Sequence, residues 1–197
     1  MAAEAGAQGQ VAASRRNVEL KATDPSPVRS LAICHELEAE DLGLLHQRDT
    51  YFHAPRGRLK LREEYGRAWL IPYDRPDAAE ARLSRCRLID APDPRALREG
   101  LEATLGPHVV VEKERRLFLW RGVRIHLDTV VGLGAFIEFE AVVEADFDLV
   151  VERARVERLR TAFGIRPDRV VAAGYADLLL SESADSKRES MLGGAAC

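Results

Sequence analysis

The sequence predicts an α+β domain: a closed antiparallel barrel of eight strands with helices packed outside it. Three observations carry this. Several segments alternate strictly between charged and apolar residues, the pattern of a strand with two unlike faces. These segments, about eight in number, are joined mostly by short turns. Between some of them lie stretches of helical period that open on capping signals.

At 197 residues the chain fits one domain able to bury a proper core. Its 46% hydrophobic and 31% charged content is that of a soluble globular protein. A net charge of −3 gives no global pull towards nucleic acid or an anionic membrane, so any anion site must be a local concentration of cations. No run approaches the ~18 apolar residues of a membrane span. The opening MAAEAGAQGQ lacks the basic and apolar segments of a secretory signal. Cys34, Cys86 and Cys197 are scattered, without pairing or metal-ligand spacing, and predict a reducing, cytoplasmic setting.

Residues 1–14 are small and polar and read as disordered, with the domain over 15–181. Asn17, Glu19 and Lys21 alternate with Val18, Leu20 and Ala22 in a first strand. Ser26 and Pro27 start a helix that runs to about Glu40 and buries Val28, Leu31, Ala32, His35 and Leu37 or their neighbours. Pro55, Arg56 and Gly57 turn 49–53 into 58–64, where Arg58, Lys60, Arg62 and Glu64 oppose Leu59 and Leu61. Gly66 leads into 68–75, in which Pro72 signals an edge or a bulge. Segment 81–91 puts Arg82, Ser84 and either Arg85 or Arg87 on a polar face. Asp93 and Pro94 start a second helix that Gly106 ends. A turn at Arg121 and Gly122 joins 109–119, with Lys113 and Arg115 on one face, to 123–131, with Arg124, His126 and Asp128 on one face. After Gly132 and Gly134 comes 135–143, where Glu138 and Glu140 oppose Ile137 and Phe139. Residues 146–163 read as an amphipathic helix and 174–180 as a short final one. A tail over 182–197 reads as disordered.

Charge therefore falls on one face of nearly every strand, with Leu, Val, Ile and Phe opposite. Outer helices can cover the apolar faces, and the charged faces then converge inside the barrel. Eight strands enclose room for one small ligand. Patterning alone leaves a competing reading open, in which these are ion pairs on an ordinary or solvent-facing sheet. In the tunnel reading, cations in excess suit a polyanion, because arginine grips phosphate oxygens with two bonds. The carboxylates of Glu19, Glu138 and Glu140 would repel phosphate unless a hard cation such as Mg²⁺ or Mn²⁺ lay between them. The ligand so inferred is a linear chain of phosphates with a divalent metal. Trp69 and Tyr73 are candidates to stack a base, although strand aromatics more often serve the core.

Four segments in order resemble the CYTH superfamily, the triphosphate tunnel metalloenzymes. They are Asn17 to Lys21, against the family's Glu-x-Glu-x-Lys strand; the hairpin Gln47 to Glu63; Lys113-Glu114-Arg115; and DTVVGLGAFIEFE from Asp128 to Glu140. The Gly-Leu-Gly-x-Phe-x-Glu wording is most similar to the class IV adenylate cyclase branch. The resemblance implies that Glu19, Glu138 and Glu140 hold the metal. It implies that Lys21, Arg58, Lys60, Arg62, Lys113 and Arg115, with Arg124, hold the phosphates. Asp128 matches a family acid near the catalytic metal, and Lys21 is a candidate base only if its cationic neighbours lower its pKa. Asn17 departs from the pattern: its amide can ligate a hard cation but brings no charge. The implied activity is conversion of ATP to cyclic AMP and pyrophosphate. Hydrolysis of tripolyphosphate, thiamine triphosphate or a nucleoside triphosphate competes with it, as does polyphosphate binding without turnover. The implied partner is a small-molecule triphosphate, not nucleic acid or a membrane, and a homodimer accords with the family.

Overall fold

The computed structural model describes residues 14–74, 81–143 and 148–193. Nine strands occur among them: β1 (Ser14–Thr23), β2 (Glu40–Phe52), β3 (Arg58–Glu64), β4 (Arg67–Asp74), β5 (Arg82–Arg87), β6 (Ile89–Asp90), β7 (Pro107–Trp120), β8 (Val123–Val130) and β9 (Gly134–Val143). The helices are α1 (Pro27–Glu36), α2 (Pro94–Leu105), α3 (Asp148–Ala162) and α4 (Tyr175–Gly193), with a 3₁₀ turn at Pro167–Arg169. Strands neighbour one another in the order β3-β2-β7-β8-β9-β1-β5-β4, and β4 pairs back onto β3. Eight strands thus close into an antiparallel barrel with the helices outside it, and β6 continues β5 along β4 in the same register.

Two tight hairpins help to set the register. Tyr65 (φ 44°) with Gly66 (φ 76°), and Arg121 (φ 48°) with Gly122 (φ 83°), each form a two-residue link with both residues at positive φ. That geometry matches the right-handed twist of the flanking strands. Pro72 sits on β4, between β3 and β5, and not on an edge. The ring accommodates its missing N–H by a gap: β4 pairs with Cys86 at Tyr73 and resumes only at Leu70 with Ile89.

Apolar faces point outwards under helices. Val18, Leu20, Phe118, Ile125, Ile137 and Phe139 pack beneath Ile33 and Cys34 of α1 and Val156 and Leu159 of α3. On the other flank, Leu61 and Ala68 meet Leu97 and Leu101 of α2. Asp93 caps α2 as expected, its Oδ1 accepting the Ala96 N–H at 3.0 Å.

Four expectations are corrected. Helix α1 ends at Glu36, and residue 38, at φ 53°, turns the chain so that β2 opens at Glu40. Its buried residues are Ser30, Ile33 and Cys34, while Val28 is 83% exposed and Ala32 and His35 also face outwards. The barrel selects that face because Ile33 and Cys34 fill the space over Phe118 and Ile137, which the helical period alone did not specify. Helix α4 continues past Leu180 to Gly193; its apolar period stops, but no glycine or proline interrupts it before then. Arg85 and Arg87 of β5 both lie exposed, and Ser84 and Cys86 face the interior instead; nothing is described of the Arg82 side chain. Residues 1–13 and 194–197, expected to be disordered, lie outside the described residues, as does Arg75. No described helix is long and apolar enough to cross a membrane.

Phe139 is fully buried and meets Phe163 edge-on at 5.2 Å, joining the barrel wall to the segment after α3. Phe139→Ala is expected to lower stability by about 3–5 kcal/mol in urea unfolding with an unchanged m-value.

Candidate active site

Directly opposed residues of neighbouring strands share a face. The register sets Glu19 beside Glu140 and Lys21 beside Glu138 across β1 and β9, then His126 beside Glu138 and Arg124 beside Glu140 across β8 and β9. It sets Arg115 beside Asp128 across β7 and β8, and Arg62 beside Asp49 and Lys60 beside Tyr51 across β3 and β2. All of these side chains but Asp49 and Asp128 line one interior cavity of about 200 Å³. Of the residues singled out in the sequence, Glu19, Lys21, Lys60, Arg62, Lys113, Arg115, Arg124, Glu138 and Glu140 line it. The charged faces therefore point inwards, and the solvent-facing reading fails. The volume lies below the roughly 300–1,000 Å³ of drug-sized sites, which suits a compact anion or part of a longer ligand.

Two candidates do not line the cavity. Arg58 donates to Asp177 of α4 at 3.2 Å at one end of the barrel. Asp128 is 2% exposed and lies behind the cations, accepting from Arg115 Nε and Nη2 at 2.6 Å each. Lys113 Nζ stands 3.6 Å from the same carboxylate. Asp49, 1% exposed, repeats the device: it accepts two bonds from Arg62 at 2.7 Å each and one from Lys60 at 2.8 Å. Two buried aspartates thus each hold one arginine as a fork and one lysine beside it.

The β1 and β9 wall is acidic. Glu138 accepts from Arg115 at 2.9 Å and faces Lys21 at 3.5 Å and His126 Nδ1 at 3.3 Å. Glu140 accepts from the Asn17 amide and lies 3.6 Å from Arg124 and 3.7 Å from His126 Nε2. The Asn17 Oδ1 atom is buried without a hydrogen-bond partner, and Asn17 lines the cavity beside Glu19 and Glu140. An orphaned amide oxygen next to carboxylates is a donor set suited to a hard cation. Among the described residues, however, no three carboxylate, histidine or cysteine side chains are already drawn together as a metal cluster.

Burial and neighbouring charge set the protonation states. Burial raises the Asp49 carboxyl, but Arg62 and Lys60 outweigh it and hold the group well below its usual range. Asp128 is likewise held down by Arg115 and Lys113 against its burial, and Glu138 by Lys21 and His126. Burial and Arg115 push Lys113 down to about 7, while burial and Arg62 push Lys60 down to about 8. Burial, with Arg115, also lowers His126 and favours its neutral form. Lys113 is therefore a cavity ammonium that titrates near neutrality.

Of the two aromatics weighed as base-stacking candidates, Trp69 does not line the cavity and lies beneath Arg67 at 4.9 Å, whereas Tyr73 does line it. Asp49, Tyr51, His126 and Tyr175 complete the site and were absent from the residues expected to act. The alternation Gln47, Asp49, Tyr51 carried a signal for two of them, continuous with the face of the following arm. Tyr175 had none, because it enters from a helix far along the chain.

A family model for the CYTH domain matches residues 15–161. The fold is shared with solved structures. The PH1012 protein of Pyrococcus horikoshii aligns with a TM-score of 0.74 at 19% identity, over 82% of this chain and 98% of its own. A candidate adenylate cyclase of Vibrio parahaemolyticus aligns with a TM-score of 0.68 at 24% identity, over 87% and 99%. A candidate adenylyl cyclase of Hippeastrum with a dominant triphosphatase activity aligns with a TM-score of 0.60 at 16% identity, over 86% and 96%. Comparison with curated proteins finds no match.

Asp49→Ala is expected to cost about 3–5 kcal/mol in urea unfolding, because it strands the buried Arg62 and Lys60. The lysines give a second expectation. Between about pH 7 and 10 the native state, with Lys113 and Lys60 lowered, binds fewer protons than the unfolded chain. The urea midpoint should therefore rise with pH across that window. Affinity for an anion in the cavity should fall across it, and binding at pH 8 should take up protons, seen as a buffer-dependent calorimetric enthalpy.

Proposed function

We propose a function from one premise: this chain belongs to the CYTH family. It is an enzyme that acts on a linear triphosphate held inside the barrel, with ATP converted to cyclic AMP and pyrophosphate as the reaction. The observation that carries the triphosphate is the cavity wall, where Lys21, Lys60, Arg62, Lys113, Arg115 and Arg124 face one compact space. The Gly132-to-Glu138 wording supports the cyclase chemistry.

In this reading the two forked arginines bind the phosphates. Each guanidinium spends one edge on a buried aspartate and keeps donors for phosphate oxygens. Lys60 and Lys113 add point charges from the same strands as the arginines, and Lys21 adds one from the facing wall. Asp128 and Asp49 act as positioning groups behind the cations. CYTH tunnel enzymes depend in general on a divalent metal. Glu19, Glu138 and Glu140, with the Asn17 amide oxygen, would hold Mg²⁺ or Mn²⁺ here. When bound, the ion would offset charge on the phosphate oxygens. The cyclisation has the ribose 3′-hydroxyl attack the α-phosphorus as pyrophosphate departs, and the proton of that hydroxyl must pass to a base. Catalysis is then chiefly alignment and electrostatic stabilisation by groups already in place.

A second reading is hydrolysis of the terminal phosphate. It is favoured by the small cavity, which fits phosphates better than a nucleoside, and by the position of Trp69 away from the wall. Both chemistries use the same cations. The charge lost at Asn17 favours a third outcome, polyphosphate binding without turnover.

The test measures phosphate, pyrophosphate and cyclic AMP released from ATP, tripolyphosphate and thiamine triphosphate with Mg²⁺, Mn²⁺ or chelator. Metal-dependent cyclic AMP formation is expected, and phosphate without cyclic AMP would select hydrolysis. Binding of tripolyphosphate with no turnover of any substrate would reject the enzyme reading. Arg62→Ala should lower kcat/KM about 10²-fold or more. Arg58→Ala, outside the cavity wall, should cost much less.

A further inference from the structure

The CYTH match ends at residue 161, yet part of the cavity wall comes from beyond it. After the 3₁₀ turn the chain runs beside the end of β1. Val170 bridges to Ala22, and the Val171 N–H donates to the Lys21 carbonyl at 2.8 Å. Gly174 and Tyr175 then line the cavity. The side chain of Asp177 accepts the Gly174 N–H at 2.9 Å and the Arg58 guanidinium at 3.2 Å, which pins this end of α4 to the barrel.

Tyr175 is 4% exposed and meets two lysines of the cavity wall and the aspartate behind it. Lys21 Nζ lies 3.7 Å from its ring centroid, and Lys113 Nζ lies 5.0 Å away. Its hydroxyl donates to Asp128 Oδ2 at 2.8 Å, on the carboxylate that holds Arg115. Phe136 meets the ring edge at 5.0 Å and backs it. A tyrosine serving only as packing needs none of the polar contacts. The chemistry of the ring also differs from that of a carboxylate. Its negative face attracts ammonium groups without neutralising them, so their charge stays available to an anion. Lysine side chains are long and flexible, and a fixed face removes much of the ordering they would otherwise undergo on binding.

We propose that Tyr175 is a positioning residue of the anion site: the face of its ring holds the ammonium groups of Lys21 and Lys113. This role rests on the triphosphate reading of the cavity. The site is then a joint product of the matched domain and the segment that follows it.

The test is equilibrium binding of tripolyphosphate to the full chain by calorimetry without metal, beside thermal unfolding. Tyr175→Phe keeps the ring and should bind within about threefold of the parent. Tyr175→Leu should bind about tenfold or more weakly. Leu179→Ala loosens α4 where it packs near Gly132, away from the lysines, and should lower Tm while leaving affinity unchanged. Equal affinity of Tyr175→Leu and the parent would overturn the role. So would an affinity loss in Leu179→Ala as large as that in Tyr175→Leu. Should Tyr175→Leu not fold, pentafluorophenylalanine at position 175 keeps the ring shape and removes its negative face. It should bind about tenfold more weakly than Tyr175→Phe, and equal binding would overturn the role. A parent protein that fails to bind tripolyphosphate sinks the triphosphate reading itself, and the role of Tyr175 with it.

Discussion

The interior of this barrel depends on the pairing of buried charge. A guanidinium or ammonium removed from water is costly unless its hydrogen-bonding capacity is met. Asp49 and Asp128 meet it twice over, each with a two-bonded arginine and an adjacent lysine. Both forks run between adjacent strands, β2 with β3 and β7 with β8. A one-residue slip in either pairing would turn the whole charged set outwards and the leucines inwards. The same bonds that satisfy the arginines therefore help to specify the register of the barrel.

This arrangement also explains how one cavity holds both cations and carboxylates. The β3 and β7 staves present lysine and arginine, while β9 presents glutamate and β1 sets Glu19 beside Lys21. His126 stands between Glu138 and Glu140, and lowering of its pKa by burial leaves it neutral, so it separates the two without cancelling them. An anion binding to the basic wall and a cation to the acidic wall would each relieve the other's repulsion. Groups fixed in this way need little reorganisation when charge develops, which is the electrostatic advantage of a closed site.

Much of the barrel was legible because the side-chain period of a strand is two and cannot be mistaken over six residues. Arg58 to Glu64 and Gly134 to Val143 are such cases, and Glu138 and Glu140 point inwards as their alternation implied. Short hairpins were legible from glycine at positions 66 and 122. Helix faces were less so: α1 turned Val28 to solvent because the barrel, not the helical period, chose which residues to cover.

The amino-acid sequence by itself determined which strands carry charge, on which of their two faces, and with what excess of cations. Alternation is a local property, so neighbours along the chain suffice to state it. Only the tertiary structure decided how far each charge stands from the cavity. Arg58 and Arg62 share one strand face, yet one pairs with α4 and the other lines the cavity. Asp128 matched the family's pattern but lies behind the cations it orients. Tyr175 reaches the lysines from a helix that no local pattern tied to them. Depth inside a barrel is set by closure and by what packs across its end, and both are contacts between residues far apart in the chain.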